Sequence, residues 1–143
     1  MKEILFGSWP TSRASIGLLA LRLVAGSAMA LHGWPKIQNP FGWMGDAIPG
    51  VFQLCAALAE FGGGIAWILG ALTPLVSLGL VINMLVALFM VIIPMKLPFV
   101  AAKPGEASGE LAWLYLAIAI LFLTAGPGRF SVDYCLFRGK RES

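Results

Sequence analysis

The sequence predicts an all-α fold, a four-helix transmembrane bundle, on three observations. Hydrophobic residues make up 59% of the chain and charged residues 12%, against about 25% charged in ordinary soluble domains. A run of 35 uncharged residues separates Glu60 from Lys96. Proline and glycine stand where that apolar sequence has to turn. With 143 residues, 15.2 kDa and a mean hydropathy of +0.85, the chain is one domain that lacks the polar side chains to cover itself in water. Its apolar content also excludes disorder. The bilayer is the solvent that suits this composition.

Each span follows from the spacing of charges and breakers. The first runs over about 15–32, from Ser15 to the segment His32-Gly33-Trp34-Pro35-Lys36. The charge-free run is too long for one span of roughly 20 residues, and it splits at Leu72-Thr73-Pro74, where proline ends one helix or opens the next. That gives spans at about 51–72 and 75–94, joined by a tight turn. The fourth covers about 110–126 and stops at Gly126-Pro127-Gly128-Arg129. The loops 33–50 and 95–109 are rich in Pro and Gly and carry interfacial Trp and Lys: Trp34, Trp43, Lys36, Lys96 and Lys103. A basic tail, 129–143, follows the last span.

Four spans put both termini on one side. The flanks carry six basic residues (Lys2, Arg13, Arg129, Arg138, Lys140, Arg141) and the two long loops three (Lys36, Lys96, Lys103). The positive-inside rule then places both termini in the cytoplasm. Ala28-Met29-Ala30 has the form of a signal-peptide cleavage site, but Arg22 in the middle of the preceding apolar run argues against cleavage. The pI of 9.1 does not indicate nucleic-acid binding, because the basic residues are scattered or terminal and form no face interleaved with aromatics. Cys55 and Cys135 form no CxxC, which leaves a thiol relay or a metal knuckle without a motif.

Ionisable and strongly polar residues within the spans mark the candidate site, since charge inside lipid costs about 2.5–3.5 kcal/mol on insertion scales and normally faces a partner. At about 1.5 Å per residue, Arg22 is expected about 15 Å below His32, Glu60 about 14 Å below Val51 and Asn83 about 16 Å below Pro94. Arg22, Glu60 and Asn83 are therefore expected at one level near the midplane. They form either a polar site or a structural Arg22–Glu60 ion pair. Arginine is a poor proton carrier and a good anchor for an anionic or carbonyl-bearing group. Glu60 is the mid-span residue able to exchange a proton. An outer rim is expected from His32, Lys36, Glu110 and Tyr115, with Glu110 favoured at a helix N-terminus by the helix dipole.

Other chemistries find no residues. One histidine cannot build a bis-histidine haem, and His32 with Met29 is a weak haem pair. The Glu-x-x-His pairs of a di-metal bundle are absent, and no metal site is expected. There is no P-loop, dinucleotide fingerprint or nucleophile–base motif. The catalytic residues stay unknown. Gly62-Gly63-Gly64, directly after Glu60, suits either close helix packing or a slot for a ring. Phe89, Met84, Met90, Trp113 and Phe122 are expected in the core or against lipid.

These residues together resemble the DoxX family. Leu21-Arg22-Leu23 and His32-Gly33-Trp34-Pro35-Lys36 match its opening. Glu60-Phe61-Gly62-Gly63-Gly64-Ile65, Leu69-Gly70 and Leu72-Thr73-Pro74 continue the match, and Glu110 and Gly126-Pro127-Gly128-Arg129-Phe130-Ser131-Val132-Asp133 close it. Phe61 departs from the Leu usual after the glutamate. The resemblance implies a small multi-pass protein of the bacterial or archaeal plasma membrane. Some DoxX relatives are the small subunit of a thiosulfate:quinone oxidoreductase; others are linked to membrane complexes that manage thiol and superoxide stress. The positions matching the family are Arg22, His32, Lys36, Glu60, Glu110, Arg129 and Asp133, and no catalytic role carries over to them.

Three functions fit. One is a membrane subunit of a redox-linked complex that contacts quinone, with a redox partner protein. The second is a non-enzymatic scaffold whose tail, Arg138-Gly139-Lys140-Arg141, docks a soluble enzyme or anionic lipid. The third is a small-solute transporter, working as an oligomer, with Arg22 as its binding charge. Discontinuous helices and inverted repeats, the usual signs of a transporter, are not evident.

Overall fold

Five α-helices, a 3-10 turn and a π-helical segment form the framework of residues 10–137, which the computed structural model describes. They are α1 (Ser12–Gln38), a 3-10 turn (Gly45–Ala47), α2 (Gly50–Leu69), α3 (Thr73–Ala87) running on into a π-helical segment (Leu88–Ile92), α4 (Glu110–Ala125) and the short α5 (Val132–Phe137). No strand occurs among the described residues. The first three, α1, α2 and α3 with its π segment, are long and apolar enough to cross a membrane, while α4 is apolar but shorter. The tail residues Arg138, Lys140 and Arg141, like Lys2, lie outside the described residues.

The bundle is apolar outside and polar inside. Ile16, Val24, Leu31, Leu75, Ile82 and Phe89 are exposed, whereas Ser15, Arg22, Gln53, Glu60, Ser77 and Asp133 are buried. Such an arrangement is unstable in water and suits lipid, where charge must turn inward to find partners. The core between the helices holds Met29, Trp67, Leu80, Met84, Tyr115 and Phe122. Trp67 donates to Ser77 Oγ (3.0 Å) and meets the Phe122 ring edge-on at 5.0 Å. Phe89, Met90 and Trp113 face outward.

Backbone contact fixes how α1 lies on α2. A Cβ on Gly26 would stand 2.7 Å from the Gly64 carbonyl oxygen, one on Gly33 would strike the Phe61 backbone, and one on Gly64 would strike Ala30. Only glycine permits this approach. Gly63 packs against Leu80 and Val76 of α3. Two of the three consecutive glycines therefore serve packing between helices. The seam also sets a register that the sequence reading missed. With level outer ends, Gly33 would lie near the start of α2; it lies instead against Phe61, about 15 Å further down. α1 is thus displaced along α2 and stops well short of where α2 begins.

α1 also continues through Pro35 to Gln38 rather than ending before His32. Proline forfeits one backbone hydrogen bond there, and contacts to α2 hold the extra turns in place: Trp34 stacks at 5.5 Å on Phe61, and Lys36 bonds Glu60.

At the other end α2 closes on Gly70, in the left-handed conformation (φ 65°). The Gly70 and Ala71 amides donate back to the Trp67 and Ala66 carbonyls, the hydrogen-bond pattern of a Schellman cap. α3 opens at Thr73-Pro74 with no cap of its own; Asp133 supplies one, accepting from the Leu72 amide (2.7 Å) and the Thr73 amide (2.8 Å). Ser131 Oγ accepts from the Tyr134 amide at the start of α5.

The glycine seam is testable. Gly64→Val is expected to cost about 1–3 kcal/mol by overpacking and to lower the thermal midpoint of the detergent-solubilised protein. Gly62 has open space where a Cβ would stand, so Gly62→Ala is expected to leave the midpoint unchanged or raise it, by up to about 1 kcal/mol of helix propensity.

Candidate functional site

The seam register separates residues that the sequence placed together. Arg22 does not meet Glu60. Its Nη1 donates to the Pro127 carbonyl (2.9 Å), and its Nη2 donates to the carbonyls of Phe130 (2.7 Å) and Ile68 (3.4 Å). Ile68 lies eight residues beyond Glu60 on α2, about 12 Å along the axis. The physical reason is the displacement of α1, which carries Arg22 towards the α2–α3 turn. There the arginine ties the segment after α4 into the bundle, and a Cβ on Gly70 would collide with its guanidinium. Asp133 is the acid whose charge it feels, and the Asp133 amide donates to the Gly70 carbonyl (3.0 Å). Arg129 completes this clamp: its amide donates to Ser15 Oγ (3.1 Å) and its Nε to the Pro10 carbonyl (2.9 Å). The family-matching residues Arg22, Arg129 and Asp133 all lie in this clamp.

The same displacement brings Lys36 to Glu60. Lys36 Nζ lies 2.6 Å from Glu60 Oε1, and Asn83 Nδ2 donates to that oxygen at 3.0 Å. Three helices thereby converge on one carboxylate. Glu60 Oε2 is buried with no hydrogen-bond partner. Glu60 stands ten residues into α2 and Asn83 ten residues into α3, each about 15 Å along a span, so the cluster is mid-depth. Lys36, expected at an outer rim, belongs to this level. Of the other expected rim residues, His32 tilts against the Tyr115 ring at 6.1 Å, Tyr115 is buried, and Glu110 is exposed at the first residue of α4.

Beside the cluster lies a cavity of about 380 Å³, within the size range of small-ligand sites. Its polar groups come from Lys36, Glu60, Asn83 and Gln53; the rest of the wall is apolar, from Trp43 and Met44 of the loop to Ile82 and Met90 of α3. Gly79 has nothing within 4 Å of where its Cβ would be, and this missing side chain leaves room in the cavity. The π-helical segment supplies Met90 and Val91 to the wall; such segments are frequent at functional sites.

Sequence reasoning missed Gln53, which builds the roof. Its side chain accepts from the Met44 amide (2.8 Å) and donates to the carbonyls of Gly45 (2.8 Å) and Ile48 (2.7 Å), while its own carbonyl accepts from Trp43 Nε1 (3.1 Å). The loop 39–49 is thereby folded into the space left where α1 stops short. Lys36 Nζ lies 4.4 Å from the centre of the Trp43 ring, a cation–π contact. A signal was present: Gln53 is an amide in an apolar span, seven residues before Glu60 and so on the same helix face.

The Lys36–Glu60 pair is unequal. The Lys36 side chain keeps 24% of its exposure and that of Glu60 only 7%. Lys36→Met leaves a buried carboxylate without its cation and is expected to cost about 3–5 kcal/mol. Adding Glu60→Gln should restore most of that loss, because the amide removes the charge and keeps an oxygen for Asn83. Thermal midpoints of the two single variants and the double variant in detergent give the cycle; additive losses would mean that the pair is not coupled.

Among the described residues, no group of three His, Cys, Asp or Glu side chains is placed to hold a metal ion. Comparison with curated proteins and with solved structures gives no match. A family model described as DoxX matches residues 17–92. That segment contains α1 from its second turn, α2 and α3 with its π segment, and with them Arg22, His32, Lys36, Glu60 and Asn83; Glu110, Arg129 and Asp133 lie beyond it. Covering more than half of the sequence, this match makes the chain an integral membrane protein of the DoxX family.

Proposed function

We propose that this protein is the membrane subunit of a redox-linked complex, and that the cavity beside Glu60 takes a quinone-type ligand. The observation that carries the reading is an apolar cavity whose wall includes a mid-depth carboxylate, Glu60, together with the Lys36 and Asn83 groups that hold it. A quinone headgroup needs donors at its carbonyls and a route for protons. Lys36 Nζ retains protons beyond the one shared with Glu60, and Asn83 has a second amide hydrogen. Glu60 is the cavity residue able to take up and release a proton. The chain has no thiol pair and no metal cluster among its described residues. In this reading a partner protein supplies the electrons, in keeping with the redox complexes to which some DoxX relatives belong.

The competing assignments have less behind them. Arg22, the binding charge of a transporter, is occupied by three carbonyls. The scaffold reading draws on the basic tail and on no cavity. The balance of basic residues supports both termini in the cytoplasm, and the resemblance to DoxX proteins implies a prokaryotic plasma membrane.

The test is an inventory, by mass spectrometry and absorbance, of what copurifies in mild detergent with the wild type and with Glu60→Gln. Near-stoichiometric quinone in the wild type, lost from an equally folded variant, is the expected result. Two equally folded proteins without quinone would overturn the reading in favour of the scaffold.

A further inference from the structure

The cavity has a roof and an open side. The roof is the loop 39–49, held by the four hydrogen bonds of Gln53 and by Trp43 over Lys36. The open side lies between α2 and α3. Lining residues recur there at helical spacing, as Phe52, Cys55, Ala56 and Ala59 on α2 and as Gly79, Ile82, Asn83, Val86 and Met90 on α3. Phe52 is 63% exposed, Ile82 56%, Val86 48% and Met90 63%, and Cys55 is exposed as well. On helices long and apolar enough to span a membrane, these exposed side chains face acyl chains rather than water. The floor is the Lys36–Glu60–Asn83 cluster at mid-depth.

From this we infer that the cavity is loaded sideways from the bilayer, through the gap between α2 and α3. Its ligand is a neutral, membrane-dissolved ring compound whose carbonyl reaches Lys36 and Asn83 while its hydrocarbon tail stays in lipid. The inference rests on the reading of the cavity as a quinone-type site and adds the route and the charge of the ligand. Neutrality follows from the floor: Glu60 already compensates Lys36, so an anionic headgroup gains no net attraction and meets a buried carboxylate. Sideways entry follows from the wall, because the polar groups that line the cavity at its roof, those of Gln53 and its loop partners, are spent on one another.

The experiment uses the full chain in phosphatidylcholine nanodiscs, with a benzoquinone carrying a decyl tail as the probe. Loading rate and final occupancy are measured for the wild type, for Ile82→Trp and Val86→Trp at the gap, for Ala47→Trp on the outside of the roof loop, and for Val24→Trp as a control on an exposed face of α1. All four positions are partly or fully exposed, so the variants are expected to fold. The two gap variants should load severalfold more slowly, with roof and control variants loading like the wild type, and dodecanoate should not displace the probe. Slowed loading in Ala47→Trp alone would overturn sideways entry and leave the quinone reading intact. Displacement by dodecanoate would overturn the neutral-ligand assignment. No binding to the wild type would remove both the inference and the reading beneath it.

Discussion

Along the seam between α1 and α2, backbone meets backbone: Gly26 lies on Gly64, and Gly33 on Phe61. The register of that contact decides which residue of α1 faces which residue of α2, and so assigns every buried charge its partner. Slid down against α2, α1 delivers Lys36 to Glu60 and Arg22 to the α2–α3 turn. Because α1 then stops short, a recess opens beside α2, and the loop 39–49 folds into it. The cavity and its polar floor are both consequences of this one packing contact.

In water a register error of this size would cost little electrostatically, because exposed charges find solvent. In lipid the alternatives are severe, since an unpaired charge at mid-depth has no other partner. The two inward-turned charges of α1, Arg22 and Lys36, therefore reinforce the register that the glycines permit. Arg22 donates through its two terminal nitrogens to carbonyls of three separate residues, and these link α1, α2 and the segment after α4. Asp133 caps α3 from the far end of the sequence. The two ends of the described chain are thereby held to the α2–α3 turn, and structure is concentrated there. The opposite half of the bundle keeps the cavity and the Lys36–Glu60–Asn83 cluster.

Much of the fold is legible in the sequence. Composition alone dictates lipid as solvent and helix as backbone geometry, because the bilayer interior leaves helices and closed barrels as the ways to satisfy a crossing chain. Thr73-Pro74 and Gly126-Pro127 mark where helices start and stop, since proline lacks the amide that a helix interior needs and glycine accepts the left-handed turn. Glu60 and Asn83 stand out as polar residues in apolar surroundings, and the structure joins them. Gln53 carried the same signal at the same helical face and was passed over.

The pairing of charges was decided by tertiary structure alone. Depth counted from helix ends assumes that neighbouring helices are level, and no feature of local sequence reports an offset between them. That offset comes from which small residues two helices press together, a property of both helices at once. The sequence therefore determined that an arginine, a glutamate and an asparagine must be satisfied inside a helical membrane bundle, and it left the lysine at the rim. Only the packed structure gave the glutamate to Lys36 and left Arg22 to the carbonyls of the turn, because the closest backbone approach, and not the depth of each charge along its own helix, sets where α1 comes to rest.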